Sequence, residues 1–320
     1  MTILRVLLHV AAQRDYDLHS LDFSTAFLQG SLHEEWHNTL SDLCFQPSSA
    51  DPSLFVRRGS TPFFVLVFVD DLVFATADRV ALADVKHKLQ KKHTCTALGE
   101  LCHYLGVQIT RDRAACTITL SQSHMVQQHP CSLCCARETP SCSLDSGCEA
   151  KYLATTSSVG LVLGGGQSVV LTGQCDSFYA DDAETHQSTQ GYCFSLGSGA
   201  VSWRSTRSSS VSTSTAEVEI YAGAMAIQEL RWLTFLLSDL GERPRSAPTL
   251  FTDNKASILL CREPRLESRV KHINVRYFFL RELQGRGQAR FDFVESEANT
   301  ADIFTKALLP CDHQRCCVQL

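Results

Sequence analysis

The most constraining feature of this chain is the run FFVLVFVDDLVFA, residues 63–75. Seven apolar residues pass unbroken from Phe63 to Val69. Asp70 and Asp71 then interrupt, and apolar residues resume. A run so short and so rich in Val and Phe reads as a buried strand rather than a helix. Adjacent carboxylates fit such a segment where the chain reverses. The pattern therefore predicts a hairpin with buried strands and with Asp70 and Asp71 presented at its turn. Paired carboxylates in that position suit Mg²⁺ and a nucleoside triphosphate, where chemistry depends on positioning and charge stabilisation. A plain β-turn, which also favours Asp, is the alternative.

With 320 residues the chain is long enough for two domains, and 44% hydrophobic content is ample for packed cores. The formal net charge of −5 argues against a generally basic nucleic-acid binder. Charge is uneven, however: residues 255–290 hold nine Lys or Arg against three Glu. Such a stripe suits a phosphate backbone, or is simply a solvated helix face. The 15 cysteines are odd in number and scattered. With no convincing signal peptide in MTILRVLLHVAA, they suggest an intracellular, reducing setting, cytoplasmic or nuclear. No apolar run is long enough for a membrane span.

Periodicity predicts a buried helix over 2–12 and a short strand in LHSLDF, ending at Asp22. Helical spacing follows over 24–45, with a possible break at Gly30. An amphipathic helix is expected over 81–92, with Leu82, Val85 and Leu89 inward, and a hairpin in VQITRDRAACTITL. Residues 129–150 hold five cysteines and two prolines without periodicity, and read as an irregular linker. Their spacing matches no common zinc pattern. Beyond them come strands at 169–178, 191–196 and AVSWRST, then a long helix from about Thr215 to Leu240 stopped by Gly241. Strand PTLFTDN, helices KASILLC and NVRYFFLRELQ, strand QARFDFVES and helix ANTADIFTKAL complete the chain. The order implies a mixed sheet carrying helices.

Four acids sit at the edges of those elements. Asp176 ends a strand, Glu219 lies near the start of the long helix, Asp253 ends TLFTD, and Asp302 opens the last helix. Acids so separated converge only through the fold, and such a set can hold two Mg²⁺ ions for phosphodiester cleavage. Each also has a structural reading; an acid at a helix N-terminus, for example, favours the dipole. Glu217 fits a capping box with Ser214. Glu219 instead has Ala222, Gly223 and Ala226 as its helical neighbours, a small face that admits a strand.

The run GYCFSLGSGAVSWRSTRSSSVSTSTAEVEIYAGAMAIQELRWLTFLLSDLG resembles the ribonuclease H domain of copia-type retrotransposon polyproteins. LFTDNKASI, SRVKHINVRYFFLREL and NTADIFTKAL resemble it too. The resemblance implies a mixed five-stranded sheet with helices and cleavage of the RNA strand of RNA–DNA hybrids. It assigns Asp176, Glu219, Asp253 and Asp302 as metal-binding catalytic acids, with Mg²⁺ as cofactor and Mn²⁺ as a substitute. In the basic segment it offers Lys271, His272 and Arg276 as substrate-binding residues. One departure is Tyr179, where the family has Trp.

SLDFSTAFLQGSLHEE and FVLVFVDDLVFA are similar to the two catalytic motifs of reverse transcriptases of the same family. They imply Asp22, Asp70 and Asp71 as metal-binding polymerase acids acting on an RNA template. Asp22 and Asp70 lie 48 residues apart, closer than in intact members. The intervening finger and palm segment is missing, and the Cys-rich stretch replaces thumb and connection regions. The expected organisation is a truncated reverse-transcriptase palm over 1–128, a linker over 129–150, a ribonuclease H-like domain over 151–310 and a tail over 311–320. The fold class is α+β and α/β. Hybrid cleavage is the activity expected to survive and polymerisation the one expected to be lost. A non-catalytic nucleic-acid-binding remnant or inactive relic is the alternative.

Overall fold

The computed structural model describes residues 1–23, 32–93, 95–123, 156–166, 169–244, 246–262 and 274–320. The expected linker, Lys271 and His272 lie outside these residues. So does the Arg276 side chain.

Helix α1 (Thr2–Arg14) is buried on nearly every side, from Leu4 and from Val6 through Ala12. That matches a segment apolar all round rather than on one stripe. Strand β1 (Asp17–Phe23) follows, then α2 (Leu32–Asp42) and strands β2 (Gln46–Pro47), β3 (Leu54–Arg57), β4 (Phe63–Phe68) and β5 (Asp71–Thr76). Helix α3 (Arg79–Lys92) starts at Asp78, whose carboxylate accepts the Ala81 N–H, and buries Leu82, Val85 and Leu89 as the periodicity predicts. With β6 (Cys95–Glu100) these strands form an antiparallel sheet in the order β2-β3-β4-β5-β1-β6. Alternation divides its residues between two cores. Leu21, Phe23, Val65, Leu72 and Phe74 join α2 and α3, while Leu18, Phe64, Val73 and Ala75 join α1.

The small strands β7 (His103–Tyr104), β8 (Val107–Asp112) and β9 (Thr117–Ser121) extend into a second sheet, and the expected hairpin is β8–β9. Its fourth strand is β10 (Leu161–Gly164), from beyond the expected linker, antiparallel to β9. Gly164 has φ +89°, and a Cβ there would meet the Cys116 carbonyl O at 2.3 Å and the Ala12 Cβ at 2.7 Å. Only glycine fits this crossing.

The third sheet comprises β11 (Leu171–Phe178), β12 (Thr189–Leu196), β13 (Ala200–Arg207), β14 (Thr249–Thr252) and β15 (Arg290–Phe293). Its order is β13-β12-β11-β14-β15, with β11, β14 and β15 parallel and the other pairs antiparallel. This is the mixed five-stranded sheet the sequence implies. Helix α4 (Thr215–Asp239) lies across β11 and β12, while α5 (Lys255–Arg262) and α6 (Asn274–Gly285) pack beside it. Gly241, at φ +82°, follows the helix end as expected.

The C-terminal region departs from the sequence reading twice. ANTADIFTKAL forms two 3₁₀ turns, Ser296–Ala298 and Thr300–Phe304, instead of a helix. Side-chain bonds tie this stretch to β11: Asn299 donates to the Cys175 carbonyl and Thr305 to Asp176. Such bonds compete with the helical ladder. The expected tail is helix α7 (Pro310–Gln319), begun by Pro310 and anchored by buried Cys316. Its end is fixed where Leu320 O accepts the Ala200 N–H.

The two halves share one core. Residues of α1, β8, β9, β10, β11, β12 and α4 belong to a single buried cluster. Polar contacts reinforce it. Trp232 Nε1 donates to Ala50 O at 2.9 Å, and Ser48 Oγ and Ser49 N–H donate to Asp239. Arg14 pairs with Glu242, and buried His9 accepts the Gly164 N–H through Nδ1.

Candidate metal centre

Asp176 stands near the end of β11, opposite Gly191 of β12, and is 1% exposed. Glu219 lies in the second turn of α4, 8% exposed. Asp253 follows β14 directly and is half-buried. Parallel pairing of β11 with β14 sets the two Asp side by side, and α4 crossing β11 delivers Glu219. Each offers a carboxylate oxygen, and the three lie within 4.8 Å of one another. Among the described residues this is the one metal-competent grouping of three or more.

The surroundings orient each acid. Ser177 Oγ donates to Glu219 at 2.8 Å and Ser296 Oγ donates to Asp253 at 2.7 Å. Thr305 Oγ1 donates to Asp176. Asp302 lies in the second 3₁₀ turn and meets Asp176 through Lys306, whose Nζ is 3.1 Å from Asp302 Oδ1 and 3.2 Å from Asp176 Oδ2. Glu217 faces away from the cluster. It accepts from the Thr213 N–H, the Thr213 hydroxyl and Tyr221 OH, while Ser214 Oγ caps the helix.

Electrostatics marks the cluster as short of positive charge. Burial, reinforced by the Asp176 and Asp253 carboxylates, pushes the Glu219 pKa up to about 8. Burial also raises Asp176, to about 6, against the opposing pull of the Thr305 hydroxyl and Lys306. Burial disfavours the Lys306 ammonium, but Asp176 and Asp302 outweigh it and hold its pKa above the usual value. Three crowded carboxylates need a proton or a cation. An all-oxygen donor set of this kind fits a hard divalent ion.

The second cluster lies at the β4–β5 hairpin. Its turn carries Val69 at φ +54°, and Asp71 pairs directly with Asp22 of β1. The Phe23 N–H donates to Asp70 O at 3.1 Å, locking β1 to the turn. All three acids are half-buried. Burial first, and the Asp22 and Asp70 charges second, raise the Asp71 pKa. Tyr104, 5% exposed, faces this cluster, and its pKa rises through burial and the Asp71 and Asp70 charges.

Sequence reasoning missed Thr305, Lys306, Ser177 and Ser296. The Asp302–Lys306 spacing of four was a usable signal, since such pairs meet on one helical face. The serines had none. Tyr179, which stands where the family has Trp, is 40% exposed.

Residues 36–140 match the family described as reverse transcriptase (RNA-dependent DNA polymerase). Almost the whole chain is also similar to transposon polyproteins. A retrovirus-related Pol polyprotein from transposon RE1 of Arabidopsis thaliana is 26% identical, covering 96% of this chain and 27% of that protein. One from transposon TNT 1-94 of Nicotiana tabacum is 24% identical, covering 96% and 31%. The chain is thus similar to retrotransposon Pol polyproteins along nearly its full length, and spans about a quarter to a third of theirs. The RE1 alignment runs over 403 positions, more than the 320 residues of this chain, so that relative carries segments without counterpart here. Among solved structures, a foamy viral protease-reverse transcriptase in complex with RNA/DNA hybrid is 11% identical, with TM-score 0.46, over 92% of this chain and 46% of that one.

Proposed function

We propose that the second half is a divalent-metal-dependent nuclease acting on the RNA strand of RNA–DNA hybrids, and that the first half is a palm without polymerase activity. The observation that carries the nuclease reading is the convergence of Asp176, Glu219 and Asp253 from three separate elements within 4.8 Å. Mg²⁺, with Mn²⁺ as substitute, is the expected ion. When bound it supplies charge stabilisation and activates the attacking water. Asp176, Glu219 and Asp253 would hold the ion, and the chain orients these acids: Ser177 steers Glu219, Ser296 steers Asp253, and Thr305 and Lys306 steer Asp176. The basic stretch around Lys271, His272 and Arg276 is the proposed contact with the hybrid's phosphates.

The palm acids sit at the edge of a packed sheet. Asp22 and Asp71 are paired opposite one another. The residues two positions along their strands toward the interior, Ser20 and Val73, are buried, and Val73 packs in the core formed with α1. What supports the loss is the set of segments present in the relative and missing here. A non-catalytic nucleic-acid binder is the competing reading. The test is Mg²⁺-dependent cleavage of a labelled hybrid by the full chain, beside Asp253→Asn. Cleavage lost in the variant supports the nuclease. Salt-sensitive binding without product supports the binder instead.

A further inference from the structure

The turn that carries Asp302 also carries a cation. Lys306 N–H donates to the Asp302 carbonyl O at 3.0 Å, which fixes the lysine backbone over that turn. Its Nζ lies 3.1 Å from Asp302 Oδ1 and 3.3 and 3.2 Å from the two oxygens of Asp176. The ammonium therefore bridges two carboxylates, gripping both oxygens of one. The preceding residue, Thr305, adds its hydroxyl to the same Asp176 carboxylate. The side chains are 29% exposed for Lys306, 1% for Asp176 and 15% for Asp302, so bulk salt screens the bridge weakly.

Two divalent ions that cooperate in phosphodiester cleavage stand roughly 3.5–4 Å apart, close enough to need a carboxylate in common. Asp176 is the acid common to two groupings here. It meets Glu219 and Asp253 in one, and Asp302 in the other. The second grouping already holds a positive charge. A second dication would have to displace Nζ from three carboxylate oxygens and then tolerate an ammonium at short range. The first grouping differs at two of its three acids. Glu219 and Asp253 accept from the hydroxyls of Ser177 and Ser296, which orient the acids without neutralising them.

We propose that Lys306 is the built-in second cation of this centre. Its ammonium stands between Asp176 and Asp302, where a second metal ion would otherwise bind, and the protein takes one divalent ion, on Asp176, Glu219 and Asp253. The inference rests on the metal-site reading above and sets its stoichiometry. Lys306 is a positioning residue in this scheme: it fixes the Asp176 carboxylate and cancels the Asp302 charge. Both effects leave the three-acid cluster shaped for a single ion.

The test is a Mn²⁺ titration of the full 320-residue chain, with Asp70→Asn and Asp71→Asn present in every sample, wild type included, so that only the second-half acids are counted, and with free Mn²⁺ followed by electron paramagnetic resonance. The wild-type chain should bind one ion. Lys306→Gln should bind two, because the second grouping loses its resident charge, while Lys306→Arg should keep one. Asp253→Asn should abolish the first ion. Two ions in the wild-type chain would overturn the inference alone and leave the metal site standing, whether or not Lys306→Gln folds. One ion in a folded Lys306→Gln would also overturn it. No ion in either the wild-type chain or Lys306→Gln would overturn the metal-site reading together with the inference.

Discussion

Replacing Glu219 by Gln should make the metal-free protein more stable while removing its stabilisation by metal. Glu219 is nearly buried, and its pKa is raised from the ordinary 4.5 to about 8 by burial and by Asp176 and Asp253. Between those values the folded chain binds more protons at this site than the unfolded chain. Stability must therefore fall as pH rises through that window. At pH 7 the span above 4.5 amounts to about 3 kcal/mol of destabilisation, at ~1.4 kcal/mol per pH unit. Gln has nearly the same shape and still offers Ser177 Oγ an acceptor. Denaturant melts in chelator from pH 5 to 8.5 should show the two proteins converging at the acid end. The variant should lead by about 3 kcal/mol at pH 7. Adding Mg²⁺ should erase most of that lead. Saturation near a hundredfold over Kd stabilises the wild-type chain by about 2.7 kcal/mol, and the variant by much less. Equal stabilities throughout the chelator series would refute the reasoning, since they would mean that Glu219 meets neither burial nor carboxylate repulsion.

Other perturbations test the fold and the seam. The buried His9 has its pKa pushed down from 6.5 to about 4 by burial, against a weaker opposing pull from Glu242. Its contribution is complete above pH 6.5 and fades as pH falls toward 4, by up to about 3 kcal/mol; His9→Leu should flatten that part of the stability–pH curve relative to wild type. Gly173→Ala would set a Cβ 2.1 Å from Phe194 Cε1, inside the core, and should cost about 3 kcal/mol in a urea melt. Trp232→Phe removes the 2.9 Å bond to Ala50 O. It should cost about 1 kcal/mol, and calorimetry should still show both halves melting in one transition.

The sequence carried the strands and helices wherever periodicity was strong. Leu82, Val85 and Leu89 face inward as spaced, and the FFVLVFVDD run is the hairpin it suggested. It failed where tertiary bonds override local preference. Nothing in NTADIFTK reveals that Asn299 and Thr305 will bind β11 and unwind an expected helix into 3₁₀ turns. The acids were legible because residue type and element edge both limit the choice. Glu219 was separated from Glu217 by the capping pattern, and Glu217 does bind at the helix start. The pairing of β10 with β9 was not legible, because four residues of LVLG carry no address for their partner strand.

That exchanged strand has an evolutionary consequence. Helix α1 and β9 belong to the first half, yet they pack with β10 and with strands of the second half in one core. A mutation at Leu7 or Ile118, both fully buried, loosens the second half as directly as the first. Selection for hybrid cleavage alone would then preserve the palm's interior while leaving Asp22, Asp70 and Asp71 free to drift. In such a lineage the first half persists as a chassis, and its hydrophobic positions should diverge more slowly than its carboxylates.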